Sequence, residues 1–358
     1  MASFECNGSS VTVGDHHEHL LAALRDELGV LSPKDGCAPS GQCGCCTVLV
    51  DGKPRVACVT PARRVRGRSV VTLEGLDAAR RERWGDAFCA AGASQCGFCT
   101  PGIVLRLDAL ASQDRGQPPV EADTDGPVGE GPGEGAVEQA LLAHLCRCTG
   151  WQTIGEAYRR FLDAGRETEP SDSGPGGRDL EAAARRAGIE GRTPQRVGPE
   201  VALGSGGFAA DLAPADALVA VADGEGGWAV AESLAEARAA AGKVQGRRTT
   251  AAHRHPLDVP DGDWQATLRT TWVDGAYLET DASWCRPGGE PASTVANGGA
   301  FGAKSAGSGT AGSQVVPGAL DVAAAARHLA DRHGRPVLVL ASREDVARSS
   351  PKRPPVAG

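Results

Sequence analysis

Eight cysteines fall into two groups of four, and their spacing is typical of metal ligands. The first group stands in GCAPSGQCGCCTVLVDGKPRVAC, and the second in QCGFCTPG and LCRCTG. The members are Cys37, Cys43, Cys46 and Cys58, then Cys96, Cys99, Cys146 and Cys148. Four thiolates are the ligand set of one [2Fe–2S] cluster. The chain is therefore predicted to hold two such clusters and to carry electrons.

The first group has the spacing C-x5-C-x2-C-x11-C, one residue longer in its first interval than the plant-type pattern. Gly36, Gly41 and Gly44 allow the loop to turn sharply, so that three thiolates converge. Cys45 is an alternative third ligand. We favour Cys46, because it preserves the C-x2-C interval and because Thr47 then begins a strand.

The second group is a CxxC pair and a CxC pair at the ends of predicted helices. Zinc is an alternative metal for this group taken alone. The CxC pair, which puts two ligands on one short turn, and the neighbouring first cluster both favour iron. A zinc-stabilised scaffold remains the weakest interpretation of the chain. Cys89 is a weaker candidate ligand, because a lone cysteine near a helix is more often a packing residue. Cys6 and Cys285 are expected to be ordinary thiols.

Composition excludes several classes of function. The 358 residues carry a net charge of −8, which gives no support for binding nucleic acid or anionic membranes. No apolar run approaches the roughly 20 residues of a membrane span. The first residues lack the basic and apolar regions of a secretory signal. We expect a cytoplasmic protein of two or three domains with no membrane span.

The first cysteine group lies among predicted strands. Alternating polarity predicts a strand over Ser9–Val13, and an apolar face predicts a helix over His19–Leu28. The Asp51-Gly52 pair predicts a type I′ hairpin between Thr47–Val50 and Pro54–Cys58. A last strand is predicted over Val70–Leu73. Residues 1–78 are thus predicted to be a ferredoxin-like β-grasp domain.

The second group lies among helices, and residues 79–165 are predicted to form a helical [2Fe–2S] domain. One helix begins at Thr100-Pro101, and the others cover Val137–Leu145 and Ile154–Leu162. Between them lies an acidic loop rich in glycine and proline, residues 114–135.

Residues 166–200 are a predicted linker with one short helix, Asp179–Ala187. Residues 201–358 are a predicted mixed α/β domain, so the whole chain is α+β. Its predicted strands are Ala217–Val221, Trp228–Val230 and Pro336–Leu340; its predicted helices are Ala323–Ala330 and one capped by Ser342.

With these motifs the chain resembles, over roughly Val11–Leu162, the iron–sulfur subunit of the xanthine oxidase family of molybdenum hydroxylases. QCGFCTPG and LCRCTG carry the resemblance most specifically. It implies that a β-grasp domain holds the outer cluster with the first cysteine group. A four-helix domain would hold the inner cluster with the second group. The resemblance also implies that Gln95 and Cys148 lie against the molybdopterin.

Three later segments resemble the molybdopterin-binding subunit of the same family, in its order. They are AYLETD (276–281), NGGAFGAKS (297–305) and GRPVLVLASRED (334–345). The resemblance places Gly299, Ala300, Phe301 and Gly302 beside the molybdenum centre. Glycines suit such a site because they let the backbone approach closely. A flexible Gly/Ser turn is the alternative.

Residues 201–358 also depart from the molybdopterin-binding pattern. The stretch between Tyr277 and Phe301 is shorter than in the family, and a cofactor-side glutamine is missing from it. The family's catalytic glutamate belongs to a G-x-G-E motif near the end of a much longer subunit. Gly288-Gly289-Glu290 precedes the loop, so we assign no catalytic residue. No FAD motif is visible. The domain is therefore expected to be only part of a molybdopterin-binding domain.

The resemblance implies an electron-transfer subunit of a multi-subunit molybdenum hydroxylase, inactive alone. Its partners would be a larger molybdopterin-binding catalytic subunit, which shares the molybdopterin, and a subunit carrying FAD. A hydroxylase of this type acts on xanthine, aldehydes or N-heterocycles, and the sequence favours no one substrate. The rival interpretation is a stand-alone ferredoxin-like carrier whose second half only docks a partner.

Overall fold

The computed structural model describes residues 1–37, 40–114, 134–164, 179–189, 196–242, 256–271, 277–292, 320–349 and 355–358. The described residues divide into two compact units, the first ending at Ala213 and the second beginning at Pro214. The predicted start of the last domain, residue 201, therefore lies within the first unit. Mixed sheets and helices confirm the α+β class.

The first unit begins with a mixed sheet of five described strands in the order β2-β1-β5-β3-β4. The strands are β1 (Ala2–Cys6), β2 (Ser9–Val13), β3 (Thr47–Val50), β4 (Lys53–Val56) and β5 (Ser69–Val71). Strands β1 and β5 run parallel, and the other neighbours run antiparallel. Helix α1 (Leu20–Ala22) continues as a π-helical turn, Ala23–Glu27. Its Leu20 and Leu24 join Phe4, Val48 and Val70 in the core of this unit.

Several predicted boundaries shift for local reasons. Strand β1 was not predicted, although its buried and exposed residues alternate. The predicted strand Pro54–Cys58 ends at Val56, because the chain then turns through a 3-10 segment, Ala57–Val59, that carries Cys58 back toward Cys46. Asp51 and Gly52 have positive φ angles of 49° and 73°, which confirms the predicted type I′ hairpin.

Four described helices follow: α2 (Ala78–Ala91), α3 (Thr100–Asp114), α4 (Glu134–Leu141) and α5 (Gln152–Asp163). Trp84 of α2 stacks on Phe161 of α5 with ring centroids 3.7 Å apart. Its indole N–H donates to Asp108 of α3 over 2.8 Å. Helix α4 was expected to reach Leu145 but ends at Leu141, because the backbone N–H of Leu145 instead donates to Cys43.

Where the structure describes its last part, the first unit has three short helices, α6 (Leu180–Ile189), α7 (Pro199–Ala202) and α8 (Ala209–Leu212). Helix α7 packs on α2 at Gly85, where an added Cβ would lie 3.1 Å from Pro199. We call residues 199–212 the covering segment.

The second unit holds a sheet of four described strands in the order β7-β6-β9-β8. They are β6 (Leu218–Ala222), β7 (Trp228–Ala231), β8 (Ala282–Cys285) and β9 (Val337–Leu340); β8 was not predicted. The described helices of this unit are α9 (Leu234–Ala240), α10 (Val322–His333) and α11 (Arg343–Ser349). Helix α10 packs on the sheet through Ala326, Leu329 and Ala330. Ser342 and Asp345 exchange hydrogen bonds, which confirms the predicted cap.

Candidate metal centres

The side chains of the first cysteine group lie close together. The Cys37 side chain is hydrogen-bonded to those of Cys43 and Cys58, and the Cys58 side chain is hydrogen-bonded to that of Cys46. Cys43, Cys46 and Cys58 are at most 4% exposed, and Cys37 is half-buried. The four thiols therefore form one largely buried donor set.

Cys37, Cys43 and Cys58 do not favour ionising together without a balancing cation. Hydrogen bonds from Cys43 and Cys58 lower the pKa of Cys37 far below the usual thiol value. Hydrogen bonding to Cys37 raises the pKa of Cys43 and of Cys58, and burial adds to both shifts. Neighbouring thiolates repel one another, and bound metal removes that penalty by holding all four deprotonated. The donor set fits a four-thiolate metal site.

The side chain of Cys45 has different neighbours from that of Cys46. The backbone N–H of Cys58 donates to Cys46 Sγ over 3.4 Å, which links Cys46 to the fourth member of the set. Cys45 is fully buried and contacts Cys43, but its charge also acts on Cys99 of the second group. Cys45 thus lies on the side of the first set that faces the second.

The second cysteine group also converges. Cys148 Sγ lies 3.6 Å from Cys96 Sγ, and Cys146 is hydrogen-bonded to both Cys148 and Cys99. Hydrogen bonds from Cys148 and Cys99 lower the pKa of Cys146 to about 2. A hydrogen bond with Cys146 and burial raise the pKa of Cys99. As in the first set, one thiol has a lowered pKa and its neighbour a raised one. A bound cation would again allow these neighbouring thiols to be deprotonated together.

The two cysteine loops touch through backbone at two glycines. A Cβ at Gly102 would collide with the carbonyl oxygen of Gly44 and lie 3.2 Å from the Cys45 backbone. Gly44 has a φ of 69°, and a Cβ there would lie 2.7 Å from the Ala143 carbonyl. The start of α3 therefore lies directly on the loop of the first set.

His144 joins the two loops and was missed in the sequence. Its Nε2 lies 3.1 Å from the hydroxyl of Thr47, and its ring covers Gly44. Burial, with the charge of Arg106 adding, lowers its pKa to about 4, so the ring is neutral near pH 7. A histidine directly before LCRC was the available signal, but its partner Thr47 is 97 residues away.

The covering segment lies on the Cys96–Cys99 loop. The Phe98 and Phe208 rings meet edge to face with centroids 5.1 Å apart. Gly97 has a φ of 80°, and a Cβ on it would lie 2.5 Å from the Val201 carbonyl. A Cβ on Gly206 would lie 3.0 Å from the Cys96 carbonyl. The segment therefore shields this loop from water.

A buried ion-pair cluster holds the covering segment in place. Lys34 is 1% exposed and donates to the Asp211 carboxylate and, over 3.2 Å, to the Gly204 carbonyl. Arg25 donates to the same carboxylate over 2.7 Å. Because both cations precede the first cysteine loop in sequence, this cluster ties the end of the unit to its beginning.

The remaining predicted site residues lie at an edge or outside the described residues. Gln95 is exposed beside Cys96, and Cys148 is half-buried. Leu142, Leu145 and Trp151, from the segments on either side of Cys146–Cys148, are 81%, 49% and 37% exposed. Cys89 lies near the end of α2, outside both loops. Gly299, Ala300, Phe301 and Gly302 lie outside the described residues.

Two of the three segments that resemble the molybdopterin-binding subunit contact each other. The Arg343 guanidinium donates to the carbonyls of Tyr277 and Leu278, and Tyr277 donates its hydroxyl proton to Asp281 over 3.0 Å. Glu290 forms an exposed ion pair with Arg327. None of the helices in the described part of the chain is long and apolar enough to cross a membrane.

Comparison with known proteins agrees with this arrangement. The family model described as "[2Fe-2S] binding domain" matches residues 72–159. A probable xanthine dehydrogenase subunit of Bacillus subtilis is 36% identical over 151 residues, which are 41% of this chain and 78% of that protein. The nicotinate dehydrogenase small FeS subunit of Eubacterium barkeri is 34% identical over 152 residues, 42% of this chain and 87% of that protein.

Among solved structures, the aldehyde oxidoreductase of Desulfovibrio gigas superposes with a TM-score of 0.63 at 20% identity. The superposition covers 99% of this chain and 51% of that enzyme. At this identity the likeness concerns the fold.

Proposed function

The chain belongs to the family of iron–sulfur subunits of xanthine dehydrogenase-type oxidoreductases, and from that premise we propose that it carries electrons within a multi-subunit molybdenum hydroxylase. The observation that carries the proposal is the pair of convergent four-thiol sets whose loops touch at Gly44 and Gly102. Two metal clusters held this way lie next to each other, as electron transfer between them requires.

Cys37, Cys43, Cys46 and Cys58 are the proposed ligands of an outer [2Fe–2S] cluster. Cys96, Cys99, Cys146 and Cys148 are those of an inner one. The sheet order β2-β1-β5-β3-β4 with one helix supports a β-grasp ferredoxin domain around the outer site. Four helices, α2 to α5, supply the inner site. When bound, the clusters supply one-electron steps between a molybdenum centre and FAD or another acceptor.

The protein's own groups tune and protect these sites. Backbone N–H groups donate to sulfur at Cys37, from Ser40 over 3.2 Å, and at Cys46, from Cys58. Such bonds stabilise negative charge on the thiolates and shift a cluster's reduction potential. The Thr149 hydroxyl lies 3.2 Å from Cys146 Sγ and does the same at the inner site.

The exposed edge at Cys148 is the proposed face toward the molybdopterin and its larger catalytic subunit. Gln95 lies at this edge, and Leu142, Leu145 and Trp151 expose apolar surface in the neighbouring segments. Exposed apolar surface of this kind is typical of protein interfaces. A second partner carrying FAD would dock near the outer site, where Val59 is 56% exposed beside Cys58.

The second unit is proposed to supply part of the molybdopterin pocket. The contact of Arg343 with Tyr277 and Leu278, which joins two of the resembling segments, supports this. We place Gly299, Ala300, Phe301 and Gly302 beside the molybdenum centre. Gly302→Val should then lower the molybdenum content of the complex and leave both iron–sulfur signals intact. Full molybdenum content in this variant would favour the rival carrier function.

The main test is metal analysis and EPR of the purified chain. We expect four irons per chain, two distinguishable signals after reduction, and no substrate turnover until the catalytic partner is added. Zinc in place of iron would contradict the proposal. Hydroxylation by the single chain would contradict the need for a partner, and a complex without molybdopterin would support the stand-alone carrier.

A further inference from the structure

A second kind of metal-ligand cluster lies in the first unit, apart from the two thiol sets. His16, His17 and Glu27 each offer one ligand atom, and these atoms all lie within 4.8 Å of one another. His16 and His17 belong to the connection between β2 and α1, and Glu27 ends the π-helical turn. We propose that these three side chains bind a divalent transition-metal ion, with zinc as the best-fitting class.

The position of Glu27 is set before any metal binds. Its Oε2 accepts the backbone N–H of Gly14 over 2.9 Å and lies 2.8 Å from His17 Nε2. The His17 side chain is 7% exposed, and that of Glu27 is 36% exposed. One ligand is thus held in the protein and one faces solvent, which provides both a fixed geometry and a path by which the ion can reach it.

Gly14 makes room for the third ligand. A Cβ at this position would collide with Nδ1 and Cε1 of the His16 ring, so the ring lies directly over the glycine. The His16 and His17 rings are 4.0 Å apart between centroids. The absence of a side chain at residue 14 therefore lets the His16 ring lie here, with its ligand atom within 4.8 Å of those of His17 and Glu27.

The π-helical turn places the carboxylate. The N–H of Leu28 bonds to the Ala23 carbonyl over 3.1 Å, five residues back, so the turn holds one residue more than an α-helical turn. Such single wide turns occur often at functional sites. Here the turn ends on Glu27, which lies against the connection that precedes the helix.

The donor set fits zinc and does not fit an iron–sulfur cluster. Two imidazoles and one carboxylate suit zinc and leave a fourth position for water, whereas iron–sulfur clusters require thiolates. Copper(II) would bind the same donors more tightly in a competition, because it stands above zinc in intrinsic affinity. A bound ion would link the start of α1 to the end of its π turn and stabilise the folded unit by mass action.

The test uses the full chain with both iron–sulfur clusters loaded, so that thiols are not free to bind the added metal. We expect one equivalent of Zn²⁺ to bind, with an X-ray absorption spectrum that shows two imidazoles and oxygen but no sulfur. His16→Gln and Glu27→Gln should each weaken Zn²⁺ binding at least tenfold. His328→Gln, an exposed histidine of α10, is the matched control and should leave affinity unchanged.

The two EPR signals of each variant show whether the fold around the clusters is intact. Affinities of the His16 and Glu27 variants within twofold of the unaltered chain would overturn the proposal. Sulfur in the zinc coordination shell, or no binding at equimolar Zn²⁺, would overturn it too. In that case the His17–Glu27 hydrogen bond only fastens the connection to the helix.

Discussion

At the scale of single residues, serine substitutions at the adjacent Cys45 and Cys46 are expected to have opposite effects on the EPR signals. Cys46→Ser should abolish one of the two EPR signals, because Cys46 contacts Cys58 within the first set. Cys45→Ser should leave both signals, because Cys45 lies on the side of Cys99 and outside that contact. EPR of the two reduced variants, made side by side, measures this. The reverse pattern would make Cys45 the third ligand.

Alanine substitutions at Gly44 and Gly52 distinguish backbone strain from steric collision, because both glycines have similar positive φ angles. Gly44 and Gly52 have φ angles of 69° and 73°, but a Cβ at Gly52 has nothing within 4 Å, whereas at Gly44 it would collide with the His144 ring. Gly52→Ala should cost about 1–2 kcal/mol of stability for the left-handed conformation alone. Gly44→Ala should cost roughly 1–3 kcal/mol more for the collision.

Urea unfolding followed by circular dichroism measures both glycine variants. Because Gly44 lies between the two cysteine loops, its substitution should also change the EPR signals, while Gly52→Ala should leave them alone. Equal losses of stability in the two variants would show that the two cysteine loops move apart at Gly44 with no loss of free energy of unfolding.

The cysteine groups could be read from the sequence because metal ligands are identified by residue type and short spacing. His144 and Gly102 could not be read in this way. Their roles depend on contacts with Thr47 and Gly44, which come from a different part of the chain. No local pattern encodes such a contact.

At the scale of elements, a buried ion pair holds the covering segment to the ferredoxin-like part of the unit. Asp211→Ala should destabilise the protein by about 3–5 kcal/mol, because it leaves the buried Lys34 without its carboxylate. The double variant with Lys34→Met should recover part of this loss, since no unpaired lysine remains. Urea unfolding of the two variants checks this.

The matched control for Asp211 is Glu181→Ala. Glu181 pairs with Arg185 on the exposed side of α6, where its side chain is 86% exposed. Loss of an exposed pair of this kind costs at most about 1 kcal/mol. If Asp211→Ala costs no more than this control, the ion pair does not hold the segment.

Features that depend on local sequence patterns were predicted correctly, whereas element boundaries that depend on contacts with residues distant in sequence were not. The hairpin at Asp51-Gly52 and the cap at Ser342 follow from local turn chemistry. Helix α4 ends before Leu145 because the backbone N–H of Leu145 bonds to the Cys43 carbonyl. Strand β4 ends at Val56 because the 3-10 segment after it places Cys58 beside the other cysteines of the first set. In both cases the cysteine loops, not local propensity, decide the boundary.

At the scale of the whole molecule, the first unit contains all eight proposed ligands together with the covering segment. A chain of residues 1–213 should therefore fold and show both EPR signals. A chain of residues 1–164 keeps the ligands but loses Phe208, which is 1% exposed, and the partner of Lys34. It should be less stable by at least about 3 kcal/mol.

The inner site should suffer more than the outer one in the shorter chain, because the covering segment lies on the Cys96–Cys99 loop. Exposure to air followed by EPR should show the inner signal decaying faster in residues 1–164 than in residues 1–213, with the outer signal decaying alike in both. Equal decay of both signals would mean that the segment does not shield the inner cluster and serves only to lead the chain into the second unit.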